Sequence, residues 1–279
     1  NGSRRWIRLP GFPFTLQPSE IARVTAVLWV AHRSTLLGED IRDLRRGFLP
    51  MLGLGGLFSL LILLEPDFGA TILFLICYVG TLLLSGARMK HLLATMAAGL
   101  GAMLLLGGTV FGYVRDRVSI WLGESSNDQV QRAIEAIGSG DGTGVGLAQG
   151  GFRNQSLQYM QTDYVFAQVG EEFGLMGSLL VLGLFLALLI VGFRMAAGIR
   201  NRYSAVVAYG LVASVVLQAL LHIQIVTGFA PPKGMNLPFV SDGGSALLAT
   251  CLAVGIALGA ARGNGVPAGD SIPVSALNK

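Results

Sequence analysis

The sequence predicts an all-α polytopic membrane protein with about seven transmembrane helices and one long extracytoplasmic loop. Three observations carry that prediction. Of 279 residues only 13% are Asp, Glu, Lys or Arg and 52% are hydrophobic, against about 25% charged in ordinary globular chains. The mean hydropathy is +0.62. The apolar residues gather in runs near the length a bilayer demands, about 20 residues for a hydrocarbon core about 30 Å thick. This composition excludes a soluble domain, a disordered chain, a collagenous fibre and a disulfide scaffold. Cys77 and Cys251 each stand inside an apolar run and read as small buried hydrophobes, not as a metal cluster or staple. Residue 1 is Asn and no signal-peptide pattern opens the chain, so a processed or internal start is expected.

From the N-terminus, Gln17-Pro18-Ser19-Glu20 supplies a cap and a proline ahead of a short apolar run, 21–30. Six longer runs follow at 48–64, 70–85, 92–111, 174–193, 205–227 and 246–261. Cations set the orientation, because short translocated loops are depleted of Lys and Arg. Arg33, Arg42, Arg45 and Arg46, then Arg88 and Lys90, then Arg194, Arg200 and Arg202, then Arg262 fall on one side. That side is expected to be the cytoplasm, with 262–279 as a cytoplasmic tail. The N-terminal stretch, the Glu65-Pro66-Asp67 turn, 112–163 and 229–244 then face outward. Arg4, Arg5, Arg8, Arg115, Arg117, Arg132, Arg153 and Lys233 stand there against the bias. They suit an anionic partner such as a phosphate-bearing lipid head group, or pairing with Asp116, Asp128 and Glu135.

The outer segment 112–163 is too long for a passive hairpin. Within it 129–137 carries Val130, Ala133, Ile134 and Ile137 at three- and four-residue steps, predicting an amphipathic helix on the membrane face. The glycine-rich 138–146 that follows reads as a flexible turn or a backbone-amide nest for phosphate. No strand precedes it, so a dinucleotide site is not expected.

Ionisable residues near membrane depth are site hypotheses by default. Glu20 and Arg23, three apart, share a helix face, which is also the spacing of mutual neutralisation. Glu65 and Asp67 flank Pro66 in a turn that either aims a carboxylate inward or lies on the surface. Asp163 opens a helix leading into 174–193, as a cap or as a site residue. Glu171, two turns on, shares a cleft with it by helical geometry, whereas Glu172 points almost opposite. His222 has no partner at metal-ligand spacing and reads as a hydrogen-bonded helix-packing residue. The prolines and glycines of 231–245, with Lys233 among them, make non-helical backbone of the kind tolerated where it lines a cavity.

Seven motifs stand in register: Asn1-Gly2-Ser3-Arg4-Arg5-Trp6-Ile7, Gln17-Pro18-Ser19-Glu20, Glu65-Pro66-Asp67-Phe68-Gly69, Ala136-Ile137-Gly138-Ser139-Gly140, Thr162-Asp163-Tyr164-Val165-Phe166-Ala167, Glu171-Glu172, and Lys233-Gly234 through Leu237-Pro238-Phe239 to Gly243-Gly244-Ser245. In this order the chain resembles the SEDS proteins, peptidoglycan glycosyltransferases of the FtsW, RodA and SpoVE type. The resemblance implies one SEDS-type membrane domain over 1–279, three spans short of the family's usual ten. It implies an inner-membrane enzyme that polymerises lipid II into glycan strands, releases undecaprenyl pyrophosphate, and acts in division or elongation from its extracytoplasmic side. Asp163 takes the position of the family's essential aspartate and is the candidate catalytic residue. Arg5, Glu20, Asp67 and Lys233 match positions around the substrate cavity, and Arg23 and Arg153 stand where lysines are usual. With Glu171 and Ser245 these make up the candidate substrate-binding set.

The resemblance further implies a divalent cation, Mg2+ or Mn2+, held at Asp163 by pyrophosphate without a dedicated protein cage, and no organic cofactor. Implied partners are lipid II, a class B penicillin-binding protein and other divisome or elongasome membrane proteins, with no nucleic acid. Asp242 replaces a usual Tyr, beside Lys233 and expected to neutralise it, and His222 replaces a usual Asn. A lipid II flippase and an inactive scaffold are the alternative functions.

Overall fold

The computed structural model describes residues 6–8, 15–65, 67–110, 119–122, 128–151 and 162–263. Among these the chain is a helical bundle. A two-residue hairpin, β1 (Ile7–Arg8) against β2 (Thr15–Leu16), leads into α1 (Pro18–Leu37), whose proline occupies the first turn. Proline belongs there, since the first-turn N–H has no intrahelical acceptor to lose. Then come α2 (Leu49–Leu64), α3 (Phe68–Leu84), α4 (Met89–Val110), the shorter α5 (Asp128–Ser139), α6 (Val165–Ala197), α7 (Arg202–Val226) and α8 (Gly244–Arg262). By length and composition Leu44–Leu64, Val165–Ala197, Arg202–Val226 and Gly244–Arg262 can cross a bilayer, and Gly69–Leu84 is a shorter apolar helix.

The central element is α7, which packs against α1, α3, α6 and α8. Small residues make that possible. At Gly210 an added Cβ would stand 2.7 Å from a Val27 methyl and 3.0 Å from a Thr81 methyl, so side chains of α1 and α3 pack directly on the α7 backbone there. Val24, Val27, Ala31, Val207, Leu211, Val215, Ala253 and Ala257 fill the surrounding core. Hydroxyls caught in the apolar helices turn back on their own chain: Ser59 donates to Gly55 O, Thr81 to Cys77 O and Thr250 to Ala246 O, each at 2.7 Å. In hydrocarbon such local bonds stand in for water.

The basic end of the bundle is closed by Arg202. Its guanidinium donates to Ser85 O at 3.1 Å and Gly38 O at 3.3 Å, carbonyls at the C-terminal ends of α3 and α1, where cations are favoured. A 3-10 turn (Gly38–Arg42) and a single π-helical turn (Leu44–Phe48) follow α1, and Asp43 caps the latter by accepting from Arg45 N and Arg46 N.

The 33 residues of α6 would rise about 50 Å, more than a bilayer core needs. The helix is broken at Gly174, which has φ 64° and ψ −157°, a backbone open in practice to glycine alone. The run expected from 174 is the membrane-length part beyond that break. Its Leu175, Met176, Leu179, Leu180, Leu184, Leu186, Ile190 and Val191 are exposed, the lipid-facing side of a polytopic bundle.

Two expectations about the outer segment are corrected. The amphipathic helix exists as α5, but Ala133 and Ala136 are buried in a cluster with Tyr164, Val165, Phe166 and Ala167, so its apolar face covers α6 and not the membrane. The glycine-rich segment is neither a free turn nor an amide nest. Val145 N donates to Glu171 O and Gly146 N to Glu172 O, while Asp141 O and Gly142 O accept from Leu175 N and Met176 N. These bonds satisfy the groups that the break at Gly174 frees.

Candidate active site

At the end opposite Arg202, the start of α1, the start of α3, the entry to α6, the start of α8 and the 231–243 segment converge. Asp67 is the N-cap of α3. It accepts from Ala70 N at 3.0 Å and pairs with Lys233 Nζ at 3.1 Å, both through Oδ1, while the Gln17 amide reaches Oδ2 at 3.5 Å. The lysine stem lies across Gly69, where an added Cβ would fall 1.7 Å from Lys233 Cδ. Only a residue without a side chain leaves that track open. Gln17 N also donates to Ser245 Oγ at 2.9 Å, which joins the start of α1 to the start of α8.

Asp163 enters from another direction. It is partly buried, and an added Cβ on Gly234 would stand 2.3 Å from its Oδ2. The carboxylate therefore rests on the backbone one residue after Lys233. Burial raises its pKa above the ordinary aspartate value, and the Lys233 charge pulls against that rise. The net effect is a better proton acceptor than a surface aspartate. Thr162 is held alongside, its carbonyl accepting from Ser241 Oγ at 2.6 Å.

Glu20 and Arg23 do pair, Arg23 Nη2 to Glu20 Oε2 at 2.9 Å, and Arg23 Nη1 also donates to Gln218 Oε1. Their exposures separate the two cations: the Arg23 side chain is 3% accessible and that of Lys233 is 20%. Of the two, Lys233 is the more accessible. Glu171 is fully buried, and its Oε2 would lie 2.6 Å from a Cβ on Gly150, which places it beneath the outer loop. Glu172 accepts from the Gln168 amide at 2.8 Å. It lines a groove of about 340 Å3 with Leu147, Val165, Phe173, Val240 and Asp242. Asp242 is thus corrected as well: the carboxylate on Lys233 is that of Asp67, and Asp242 lies in the groove beside Glu172. Arg5 and Arg153 lie outside the described residues.

Sequence reasoning missed Gln218 and Ser241, uncharged side chains that tie the 231–243 segment together and to its neighbours. Among the described residues no group of three or more His, Cys, Asp or Glu is placed to hold a metal. A hard divalent ion that takes most of its oxygens from a diphosphate and water needs only one or two carboxylates. Asp163 fits that minimal donor set, and an ion held there would help to neutralise the diphosphate charge. A larger cavity of about 490 Å3, lined by Glu39, Asp40, Arg42, Asp43, Leu44, Arg88 and His91, opens at the opposite, basic end.

Comparison with known proteins identifies the family. A family model covering FtsW, RodA and SpoVE, described as "Cell cycle protein", matches residues 1–264. The chain is 38% identical over 270 residues to the probable peptidoglycan glycosyltransferase FtsW of Nitrosococcus halophilus, covering 92% of this chain and 68% of that one. It is 34% identical over 270 residues to the stage V sporulation protein E of Bacillus subtilis, covering 94% and 72%. A solved chain, described with the structural coordination of polymerization and crosslinking by a peptidoglycan synthase complex, matches with TM-score 0.77 and 26% identity over 96% of this chain and 75% of its own. The Thermus thermophilus rod shape determining protein RodA matches with TM-score 0.62 and 25% identity over 96% and 72%. With the motifs in register, the helices in matching order and most of the length covered, the chain belongs to the FtsW, RodA and SpoVE family of membrane proteins.

Proposed function

We propose that the chain is a peptidoglycan glycosyltransferase that polymerises lipid II into glycan strands and releases undecaprenyl pyrophosphate, working on the extracytoplasmic side of the bacterial cytoplasmic membrane. The observation that carries this reading is the partly buried Asp163, with raised pKa, resting on the segment that presents Lys233. Glycan elongation needs little more. A sugar hydroxyl attacks the anomeric carbon of the donor from the face opposite the leaving group, so the configuration inverts. The hydroxyl proton passes to Asp163, worth about 100- to 10,000-fold when a base is well placed. The bond to the diphosphate breaks with its electron pair, and Lys233 stabilises the charge that develops on the departing oxygens. A diphosphate is already a good leaving group, so no acid is required.

Arg23 contributes differently. Buried between Glu20 and Gln218, it supports the wall of the site. A divalent cation held with Asp163 would supply further charge neutralisation to the diphosphate. The relative described with a synthase complex that couples polymerization to crosslinking supports a crosslinking partner, a class B penicillin-binding protein, for this chain too.

The test is the product made from lipid II alone by the purified full-length protein in vesicles. The proposal expects glycan strands with one undecaprenyl pyrophosphate released per link. Intact lipid II moved across the bilayer with no new glycosidic bond would overturn it in favour of a transporter.

A further inference from the structure

Three successive residues of the 231–243 segment are each gripped by a side chain, two of them from α7 and one from the segment's own Ser241. Met235 O receives His222 Nδ1 at 2.6 Å, Asn236 O receives Gln218 Nε2 at 3.1 Å, and Leu237 N donates to Ser241 Oγ at 2.8 Å. Gln218 and His222 are one turn apart on α7 and are 0% and 1% exposed. The donor roles follow from the partners. A carbonyl only accepts, so His222 carries its proton on Nδ1, and Arg23 only donates, so the Gln218 oxygen faces Arg23 and its nitrogen faces Asn236 O. Ser241 has a second partner, donating to Thr162 O at 2.6 Å.

The gripped stretch lies directly after Lys233 and after Gly234, whose Cα supports the Asp163 carboxylate. Thr162, held by Ser241, directly precedes Asp163. One set of bonds thus refers the cation and the base to the same backbone, and that backbone to the rigid helix α7. A buried histidine that only filled space would do so as well with an apolar ring; this one spends its single donor on the loop.

Resting on the function proposed above, we infer that Gln218, His222 and Ser241 are positioning residues that set the separation of Asp163 from Lys233. They touch no reacting atom. Misplacement of reacting groups by about 1 Å costs on the order of 100-fold in rate, so releasing the grip slows turnover with little effect on lipid II binding.

Substitutions separate this role from packing. In Gln218→Glu the carboxylate still accepts from Arg23 but no longer donates to Asn236 O. His222→Leu and Ser241→Ala remove the other two grips, whereas His222→Asn places an amide N–H where Nδ1–H stood and Ser241→Thr keeps the hydroxyl. With the full-length protein in nanodiscs, Q218E, H222L and S241A are expected to lower kcat about 10- to 100-fold with KM for lipid II within about threefold. H222N and S241T are expected to recover most of the loss. Amide exchange at 237, 240 and 241 is expected to quicken in the first three variants and not in the last two.

The inference is overturned if Q218E, H222L and S241A keep wild-type kcat while Asp163→Asn is inactive. It is overturned equally if H222N and S241T lose as much as H222L and S241A, the mark of packing alone. Polymer from Asp163→Asn would instead sink the underlying reading, and the exchange measurement decides whether the loop is gripped without reference to activity.

Discussion

At residue scale the site rests on a balance between burial and one lysine at Asp163. Burial raises the pKa and Lys233 lowers it. Polymerisation is therefore expected to decline as pH falls through the raised pKa, when the base becomes protonated. Lys233→Met removes the opposing charge, so the acid limb of its residual activity is expected at higher pH than in wild type; kcat/KM against pH checks this, and a limb moved to lower pH contradicts it. The same pKa has a sign for stability. A carboxylate whose pKa rises on folding contributes stability that is full below the unfolded value near 3.9 and is lost as pH rises through the folded value. Asp163→Asn is thus expected to raise Tm at pH 7.5 relative to wild type, with the gap closing as pH falls toward 4. Gly69→Ala is expected to cut activity about 10-fold or more by displacing the end of Lys233 from Asp67, with Tm nearly unchanged because that flexible chain can move aside. Asp163, Lys233, Asp67, Glu20 and Arg23 were legible because charge stands out in an apolar sequence. Gln218 and Ser241 were not, since an uncharged polar residue in an apolar run or turn has no signature until its partner, 18 residues away for Gln218 and 79 for Ser241, is known. Asp242 misled by its nearness to Lys233 along the chain, which did not translate into pairing.

At element scale the breaks decide the architecture. The first run, read as 21–30, is the middle of a 20-residue helix, shortened on paper because Glu20, Arg23, His32 and Arg33 interrupt its hydropathy. Arg23 is buried inside the bundle, where Glu20 and Gln218 satisfy it, so the helix tolerates what the pattern rejects. The run from 174 was legible as an apolar stretch, but its continuation back to Val165 was not. Residues 165–173 are covered by α5 and the glycine-rich segment, and that cover arises from contacts distant in sequence. The break at Gly174 is the keystone: an alanine Cβ would stand 2.5 Å from Gly144 N and 2.7 Å from Thr143 N, both backbone atoms, and φ is positive. Gly174→Ala is expected to destabilise by about 1–3 kcal/mol and to quicken amide exchange at Val145 and Gly146. Unchanged exchange there would contradict the docking of the loop on α6.

At the scale of the whole molecule, the candidate site and the Arg202 closure occupy opposite ends of the bundle. Under the proposed function, with the basic end in the cytoplasm, the site would face the side on which the substrate is used. In a background without Cys77 and Cys251, a cysteine replacing the exposed Phe229 is expected to react with an impermeant maleimide from the periplasmic side, and one replacing Arg45 only after the membrane is opened. The converse pattern would invert the orientation. Fold class and the ends of the bundle were legible because hydropathy and charge act on whole segments; which side chains meet at the site depends on packing around α7. The most direct measurement is polymer formation from lipid II by Asp163→Asn in the full-length protein, with lipid II binding followed in parallel. Binding within about threefold of wild type and polymerisation reduced at least about 100-fold is the predicted result; polymer at the wild-type rate would contradict the assignment of Asp163 as the base.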